Sequence, residues 1–255
     1  MKTAKKRLDQ LLVEQGLCES RSIAQALILA GKIRTGTTIL DKPGKSYPGD
    51  IEITLESPPK YVSRGAEKIE GYLKKFPISI ADKHILDLGA STGGFTDYLL
   101  QEGAATATCI DVGHGQLHQK LREDPRVFNF EKTNARHLNK DTLPHNAYQI
   151  VVMDLSFISI KKVLPAAWEL LETGGHLITL VKPQFESTKQ EADKGQGIIK
   201  DPAIHNRILE DIQDFVRKSL PSAEIQGLIP SPIQGAKGNK EFLLGIRKKE
   251  DSESK

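Results

Sequence analysis

Several features that would assign this chain a role at once are missing or scarce. It has two cysteines, Cys18 and Cys109, in 255 residues. They stand far apart and match no metal-ligand spacing, so no metal is expected and both read as free thiols of a cytoplasmic protein. No apolar run approaches the roughly 18 residues needed to span a bilayer, so no membrane partner is expected. The N-terminus, Met-Lys-Thr-Ala-Lys-Lys-Arg, continues into polar amphipathic sequence without the apolar core of a secretory leader. Net charge is also low, at +3, but it is unevenly spread. Residues 1–60 hold ten Lys/Arg against seven Asp/Glu, and the remaining 195 residues balance at 26 of each sign. The surplus at the N-terminal end suits attraction to a phosphate backbone.

What is present is concentrated at residues 85–98, Ile-Leu-Asp-Leu-Gly-Ala-Ser-Thr-Gly-Gly-Phe-Thr-Asp-Tyr. A short apolar run ends around Asp87, Gly89, Gly93 and Gly94 follow, and a helix-compatible segment begins at Phe95. A strand, a tight glycine turn and a helix let the backbone approach a ligand closely at the carboxyl end of a sheet strand. The same residues support two chemistries. As a cofactor loop they cradle an adenosine-type ligand; as Gly-x-Ser91-x-Gly they match the nucleophile elbow of serine hydrolases.

Organisation along the chain bears on that choice. In the first 60 residues Leu8, Leu11 and Leu12 before Gly16 predict a short helix. Ser20 is a plausible cap for a second helix carrying Ile23, Ala24, Leu27 and Ile28 and closing at Gly31. Residues 33–39 read as a hairpin, 41–50 as a loop, 51–55 as a strand and 57–60 as an extended linker at a domain boundary. From His84 onward strands and helices alternate. Strands are expected at 84–88, 106–111, 126–130, 149–154, 176–182, 223–229 and 241–247, and helices at 66–75, 95–102, 115–122, 161–172 and 202–219. Such alternation predicts a mostly parallel sheet covered on both faces. The last two strands lack an intervening helix and should pair antiparallel, an ending typical of the methyltransferase variant of the Rossmann fold.

The hydrolase reading weakens on this frame. Ser91, Asp154 and His205 occur in the right order, but the Ser91 strand is the first of its sheet and no earlier loop supplies an oxyanion hole. His205, near a helix start, reads as a surface residue. The cofactor reading gains from Asp111, at the end of the next strand and about 20 residues beyond the loop, where an acidic side chain commonly holds ribose hydroxyls. Asp154 and Lys182 fall at the carboxyl ends of later strands, and Glu241 at the start of the last, antiparallel one. These positions share one rim, so the three side chains can meet above the sheet, and Lys68, just before the domain, can fold over them.

The residues resemble the TlyA family, whose members carry the names hemolysin and ribosomal RNA 2′-O-methyltransferase. The resemblance rests on Arg7-Leu-Asp9, Ser20-Arg21, Tyr61-Val-Ser-Arg-Gly65 with Lys68, Gly89-Ala-Ser-Thr-Gly-Gly-Phe95, Asp111-Val-Gly113 and Gln116-Leu117. It continues through Thr133-Asn-Ala-Arg136, Asp154-Leu-Ser-Phe-Ile158, Lys182-Pro-Gln-Phe-Glu186 and Gly238-Asn-Lys-Glu-Phe242. It implies an α/β fold: a Rossmann-like seven-stranded methyltransferase sheet over residues 84–248, joined through residues 61–83 (linker and first helix) to a small α+β S-four RNA-binding domain over residues 5–60.

The resemblance also implies a catalytic tetrad of Lys68, Asp154, Lys182 and Glu241. Lys182 would serve as general base toward a ribose 2′-hydroxyl, Lys68 as neighbouring cation and positioner, and the two carboxylates would orient the amines. S-adenosylmethionine would lie against Gly89, Ser91 and Gly93, with Asp111 at its ribose and Asn134 and Ala135 at its adenine. Lys6, Arg7, Arg21, Lys32, Arg34 and Arg64 would contact RNA, and the ribosomal RNA or a ribosomal subunit would be the partner. The segment 194–197 resembles a mobile element able to close over RNA, and the short charged tail after Arg247 leans toward the large subunit alone. A membrane-active cytolysin and a non-catalytic RNA-binding protein are the competing functions. A base N-methyltransferase is a further rival, but Asp154-Leu-Ser-Phe157 lacks the two prolines such enzymes carry at this place.

Overall fold

Neighbouring residues of a strand face opposite sides of its sheet, and in the central strands of this chain both sets are apolar. In the computed structural model, which describes residues 4–56, 60–138 and 140–250, Ile85, Ile150, Val152, Ile178 and Leu180 pack on one face. Leu86, Leu88, Val151, Met153 and Leu177 pack on the other. Strands buried on both sides need helices above and below, and the chain supplies them.

The chain divides into two compact units, Met1–Lys60 and Tyr61–Lys255. The larger holds β1 (His84–Leu88), β2 (Thr106–Ile110), β3 (Val127–Phe130), β4 (Tyr148–Met153), β5 (Leu171–Val181), β6 (Ala223–Pro230) and β7 (Phe242–Lys248). They form one seven-stranded sheet in the order β6-β7-β5-β4-β1-β2-β3. Strands β1 to β5 run parallel, and β7 lies antiparallel between β5 and β6. Its helices are α1 (Gly65–Lys75), α2 (Gly94–Gln101), α3 (Gln119–Arg122), α4 (Leu164–Leu170), α5 (Pro183–Glu186), α6 (Lys189–Lys194) and α7 (Pro202–Ser219). Ala66, Ile69 and Tyr72 of α1 and Phe95 and Leu99 of α2 cover one face. Leu164 and Trp168 of α4 and Ile208, Ile212 and Val216 of α7 cover the other.

The smaller unit has its own core of Leu8, Leu11, Leu12, Ala24, Ile28, Ile33, Leu40 and Ile53. Its helices are Leu8–Glu14 and Arg21–Leu29, the second capped by the Ser20 hydroxyl, which accepts from the Ile23 N–H. Ile33–Thr35 pairs with both Thr38–Ile39 and Thr54–Leu55.

Several sequence expectations need correction. Residues 41–50 are not all loop: Ser46–Pro48 pairs antiparallel with Lys5–Arg7, Pro48 standing at a strand end where its missing N–H is tolerated. The helix expected at 115–122 shrinks to Gln119–Arg122, because the N–H groups of the preceding residues are taken up elsewhere: that of Gly115 donates to Glu131 Oε2 at 2.9 Å and that of His118 to the Thr92 carbonyl at 3.3 Å. The helix expected at 161–172 becomes a 3₁₀ turn, Ile160–Lys162, followed by α4 with a proline in its first turn. His205 is buried, not on the surface: its ring meets the edge of Phe242, and its Nε2 lies 2.9 Å from the Ile199 carbonyl. Residues 57–59 of the expected linker and residues 251–255 of the tail lie outside the described residues.

Candidate active site

Sheet register brings the charged residues together. Val181 of β5 pairs with Phe242 of β7, so Lys182 and Glu241, one residue beyond each, face one another across the rim. Leu88 of β1 pairs with Met153 of β4, so Asp154 sits beside Gly89, its N–H bonded to the Leu88 carbonyl at 3.0 Å. Lys68 is one turn into α1 and buried.

The four side chains form a continuous chain of alternating charge. Lys68 Nζ donates to Glu241 Oε2 at 2.8 Å and to Asp154 Oδ2 at 3.2 Å. Asp154 Oδ1 lies 2.6 Å from Lys182 Nζ, which also donates to Ser156 Oγ at 3.0 Å. Burial alone would lower the pKa of Lys68, but the Asp154 and Glu241 carboxylates outweigh it and hold the amine above its usual value. Lys68 is therefore a fixed cation. Removing one member of such a buried set leaves its partners uncompensated, typically at a cost of about 3–5 kcal/mol.

A crevice opens beside this network at the carboxyl ends of β1, β2 and β4. Its polar lobe, about 210 Å³, is lined by residues including Ser63, Asp87, Gly89, Ser91, Asp154 and Lys182. Its more apolar lobe, about 420 Å³, shares Gly89, Ser91, Asp154 and Ser156 and adds Asp111, Val112, Ala135, Leu155, Phe157 and Ile158 among others. Gly89 has φ +83°, and a Cβ there would stand 2.7 Å from the Asp154 carbonyl oxygen. Only glycine lets these two strand ends come so close.

The expected cofactor residues are not equivalent in space. Asp111 accepts from the Ser91 N–H at 2.8 Å as well as from Gly113, so its carboxylate fixes the glycine loop. Ser91 presents this N–H from a left-handed backbone, φ +48°. Asn134 lines the apolar lobe while its Oδ1 accepts from the Arg136 N–H at 3.1 Å. Ala135 lines the same lobe. Gly93 lines neither lobe and turns the chain into α2 against Leu117 and Leu121. His205 lines neither lobe either, so the hydrolase constellation does not assemble there.

Of the expected RNA contacts, Arg64 is exposed at the head of α1, between two residues lining the polar lobe. In the small unit Arg7 and Arg21 both bond to Asp9, Lys6 pairs with Glu14 at 2.7 Å, and Lys32 and Arg34 approach Glu56 at 4.0 and 3.8 Å.

Three residues at the crevice were not found by sequence reasoning. Asp87 is 1% exposed and lines the polar lobe. Its Oδ2 accepts from Thr96 Oγ1 at 2.7 Å, but Oδ1 has no hydrogen-bond partner. Burial, with the Asp154 and Asp111 charges adding to it against the Thr96 bond, pushes its pKa up to about 7. Ser156 holds Lys182. Phe157 is 91% exposed on a left-handed backbone (φ +65°), its ring 5.2 Å from that of Phe185. Position at a strand end was the available signal for Asp87; an orphaned oxygen and an unnatural φ leave none in a sequence.

Residues 61–248 match the family model described as FtsJ-like methyltransferase, and residues 6–47 match the S4 domain. Hemolysin A of Brachyspira hyodysenteriae is 42% identical over 241 residues, 93% of this chain and 98% of that protein. The 16S/23S rRNA (cytidine-2′-O)-methyltransferase TlyA of Mycobacterium tuberculosis is 40% identical over 251 residues, covering 96% of this chain and 91% of the relative. A solved Streptococcus thermophilus protein, provisionally named a hemolysin, superposes with a TM-score of 0.72 at 38% identity, covering 97% of this chain and 90% of that one.

Proposed function

The chain belongs to the FtsJ-like methyltransferases of TlyA type, and from that premise we propose that it methylates the ribose 2′-hydroxyl of a cytidine in ribosomal RNA, using S-adenosylmethionine. The observation that carries the reading is the Glu241–Lys68–Asp154–Lys182 network at the edge of the crevice.

The residues fit such a donor. The polar lobe offers an orphaned buried carboxylate oxygen, Asp87 Oδ1, to an ammonium group. Gly89 leaves space where any side chain would intrude, and Val112, Ala135 and Ile158 give the second lobe an apolar lining for a purine. Asp111 lines the apolar lobe and holds the glycine loop through the Ser91 N–H, and its carboxylate would accept from ribose hydroxyls. When bound, the cofactor supplies an electrophilic methyl group.

The chain's own residues handle the proton. A ribose hydroxyl is a weak nucleophile at neutral pH and needs both aim and a base. Lys68, locked between two carboxylates, keeps its charge. Lys182 has one carboxylate partner and lines the polar lobe; as the free amine, after releasing its own proton to solvent, it takes the 2′-hydroxyl proton as the oxygen–methyl bond forms and the donor's sulfur–methyl bond breaks. Asp154 and Ser156 aim its amine. Phe157 holds an apolar ring in solvent at the mouth, suited to stacking on a base, an interaction worth about 1–3 kcal/mol. Alignment within a dry crevice supplies most of the acceleration.

The hemolysin name of relatives asks for a membrane-active element, and among the described residues no helix is long and apolar enough to cross a bilayer. The test is incubation of the protein with unmodified large and small ribosomal subunits and labelled S-adenosylmethionine, followed by mapping of 2′-O-methyl groups. Label on a cytidine ribose is expected. No incorporation into either subunit, or label on a base, overturns the proposal.

A further inference from the structure

Glu241 ends the turn before β7, and a buried side chain in that turn ties it to a neighbouring segment. Asn239, 3% exposed, stands two residues ahead of Glu241. Its Nδ2 donates to the Gly197 carbonyl at 2.9 Å, and its Oδ1 accepts from the Ile199 N–H at 3.1 Å. Both partners belong to residues 195–200, the strap between α6 and α7. It overlaps residues 194–197, which the family resemblance implies to be a mobile element, and Gly197 and Ile199 within it bond to the turn. His205 adds a third stitch, its Nε2 against the Ile199 carbonyl and its ring against Phe242.

The turn is closed on its other side as well. The Gly235 N–H donates to the Asn239 carbonyl at 2.9 Å, and the Ser231 N–H to that of Glu241 at 2.8 Å. Gly235 lies so close that a Cβ there would fall 2.0 Å from Glu241 Oε1. Backbone thus fills one side of the carboxylate while Lys68 Nζ donates to its other oxygen at 2.8 Å. Asn239 lines neither lobe of the crevice. It touches the strap backbone, and the strap fixes the turn.

We propose that Asn239 is a positioning residue for the methyl-transfer reaction: by fastening residues 195–200 to the turn at 235–241, it sets the Glu241–Lys68 contact. This rests on the function proposed above. The N–H groups of residues 195–198 bond to α6 and within the turn that follows it, whereas the N–H of buried Ile199 and the Gly197 carbonyl find their partners in the Asn239 side chain. A carboxamide supplies both a donor and an acceptor in one plane, and no other side chain of that size does. Loss of the amide would free the turn, and with it Glu241 and the ammonium of Lys68. Small displacements of this kind cost rate far more than affinity.

The experiment measures single-turnover methyl transfer at saturating RNA and cofactor for Asn239→Ala, Glu241→Asp and the double variant, with cofactor affinity by calorimetry. Asn239→Ala is expected to lower the rate constant at least about 10-fold while cofactor Kd stays within about 2-fold. Glu241→Asp keeps the charge and moves it, so adding Asn239→Ala to it should cost less than about 2-fold more. A rate for Asn239→Ala within 2-fold of the unaltered protein overturns the proposal. So does a loss of cofactor affinity equal to the loss of rate, or fully multiplicative effects in the double variant; either marks a merely structural residue. If the unaltered protein methylates no RNA, the failure belongs to the proposed function instead.

Discussion

Among the described residues, two carboxylates are buried without a lysine beside them, one in each unit, and they have opposite surroundings. Asp9 in the small unit accepts two bonds from Arg7 at 3.0 Å and one each from Arg21 and Gln25 at 2.9 Å. The Arg7 bonds, helped by Arg21 and Gln25, overcome burial and hold its pKa well below the usual carboxylate range. Asp87 in the catalytic unit has one hydroxyl donor, an unpartnered oxygen and other carboxylates for neighbours. The first anion is satisfied entirely by the chain and serves as an anchor for two arginines. The second is left unsatisfied where the crevice opens, and an unmet buried polar atom marks a place for something brought from outside.

The contrast can be tested by breaking each side, and the largest effect should come from the catalytic unit. Lys182→Ala should reduce single-turnover methyl transfer by about 10³-fold while RNA and cofactor affinities stay within about 3-fold. Activity at the unaltered level would remove Lys182 as the base.

Asp87→Asn should weaken S-adenosylmethionine binding by about 10- to 100-fold, a charge-assisted bond being worth roughly 1.5–3 kcal/mol, read by calorimetry. The same variant should make the unliganded protein more stable. Asp87 binds its proton more tightly in the fold, up to pH about 7, than in the unfolded chain at about 4. Its contribution is therefore most favourable below pH 4 and is lost as pH rises to 7. The melting advantage of Asp87→Asn should be greatest at pH 8, on the order of 4 kcal/mol, and fade toward pH 4. An advantage independent of pH would contradict the raised pKa.

Asp9 runs the other way. Its depressed pKa gives stability that is complete above the unfolded value of about 4 and declines only in more acidic solution. Asp9→Ala should cost the small unit about 1–3 kcal/mol and release Arg7 and Arg21, lowering RNA affinity about 10-fold and leaving cofactor affinity unchanged. Equal RNA binding would dissociate these arginines from RNA docking. The smallest effect is expected for Arg34→Ala, a few-fold in RNA affinity, with the slope of log K against log salt falling by about 0.7–0.9.

The sequence revealed the sheet because apolar periodicity, glycine turns and strand–helix alternation all act locally, and these local signals agree with the fold. It failed where a distant group decides. His205 lies near a helix start, yet Ile199 and Phe242 draw it inward. Residues 115–118 read as the start of a helix, yet the Glu131 carboxylate and the Thr92 carbonyl claim the N–H groups of Gly115 and His118. In the site, Asp154, Lys182 and Glu241 were legible as strand termini of one rim. That Lys68, 173 residues from Glu241, could fold over them was read from its place just before the domain, while its role among them came from the family resemblance. Asp87 could be read as a strand residue, but not as one with an empty lone pair, since that depends on everything packed around it.

Strand β7 is made after every other strand of the sheet and lies inside it, between β5 and β6. Until β7 arrives, β6 has no neighbour to join and β5 presents an open edge. Glu241 precedes that strand by one residue, so Lys68 has only Asp154 to meet before then. A chain still emerging from synthesis thus lacks one carboxylate of the charge network. The Lys68–Glu241 contact is therefore among the last of the unit's contacts for which the chain becomes available.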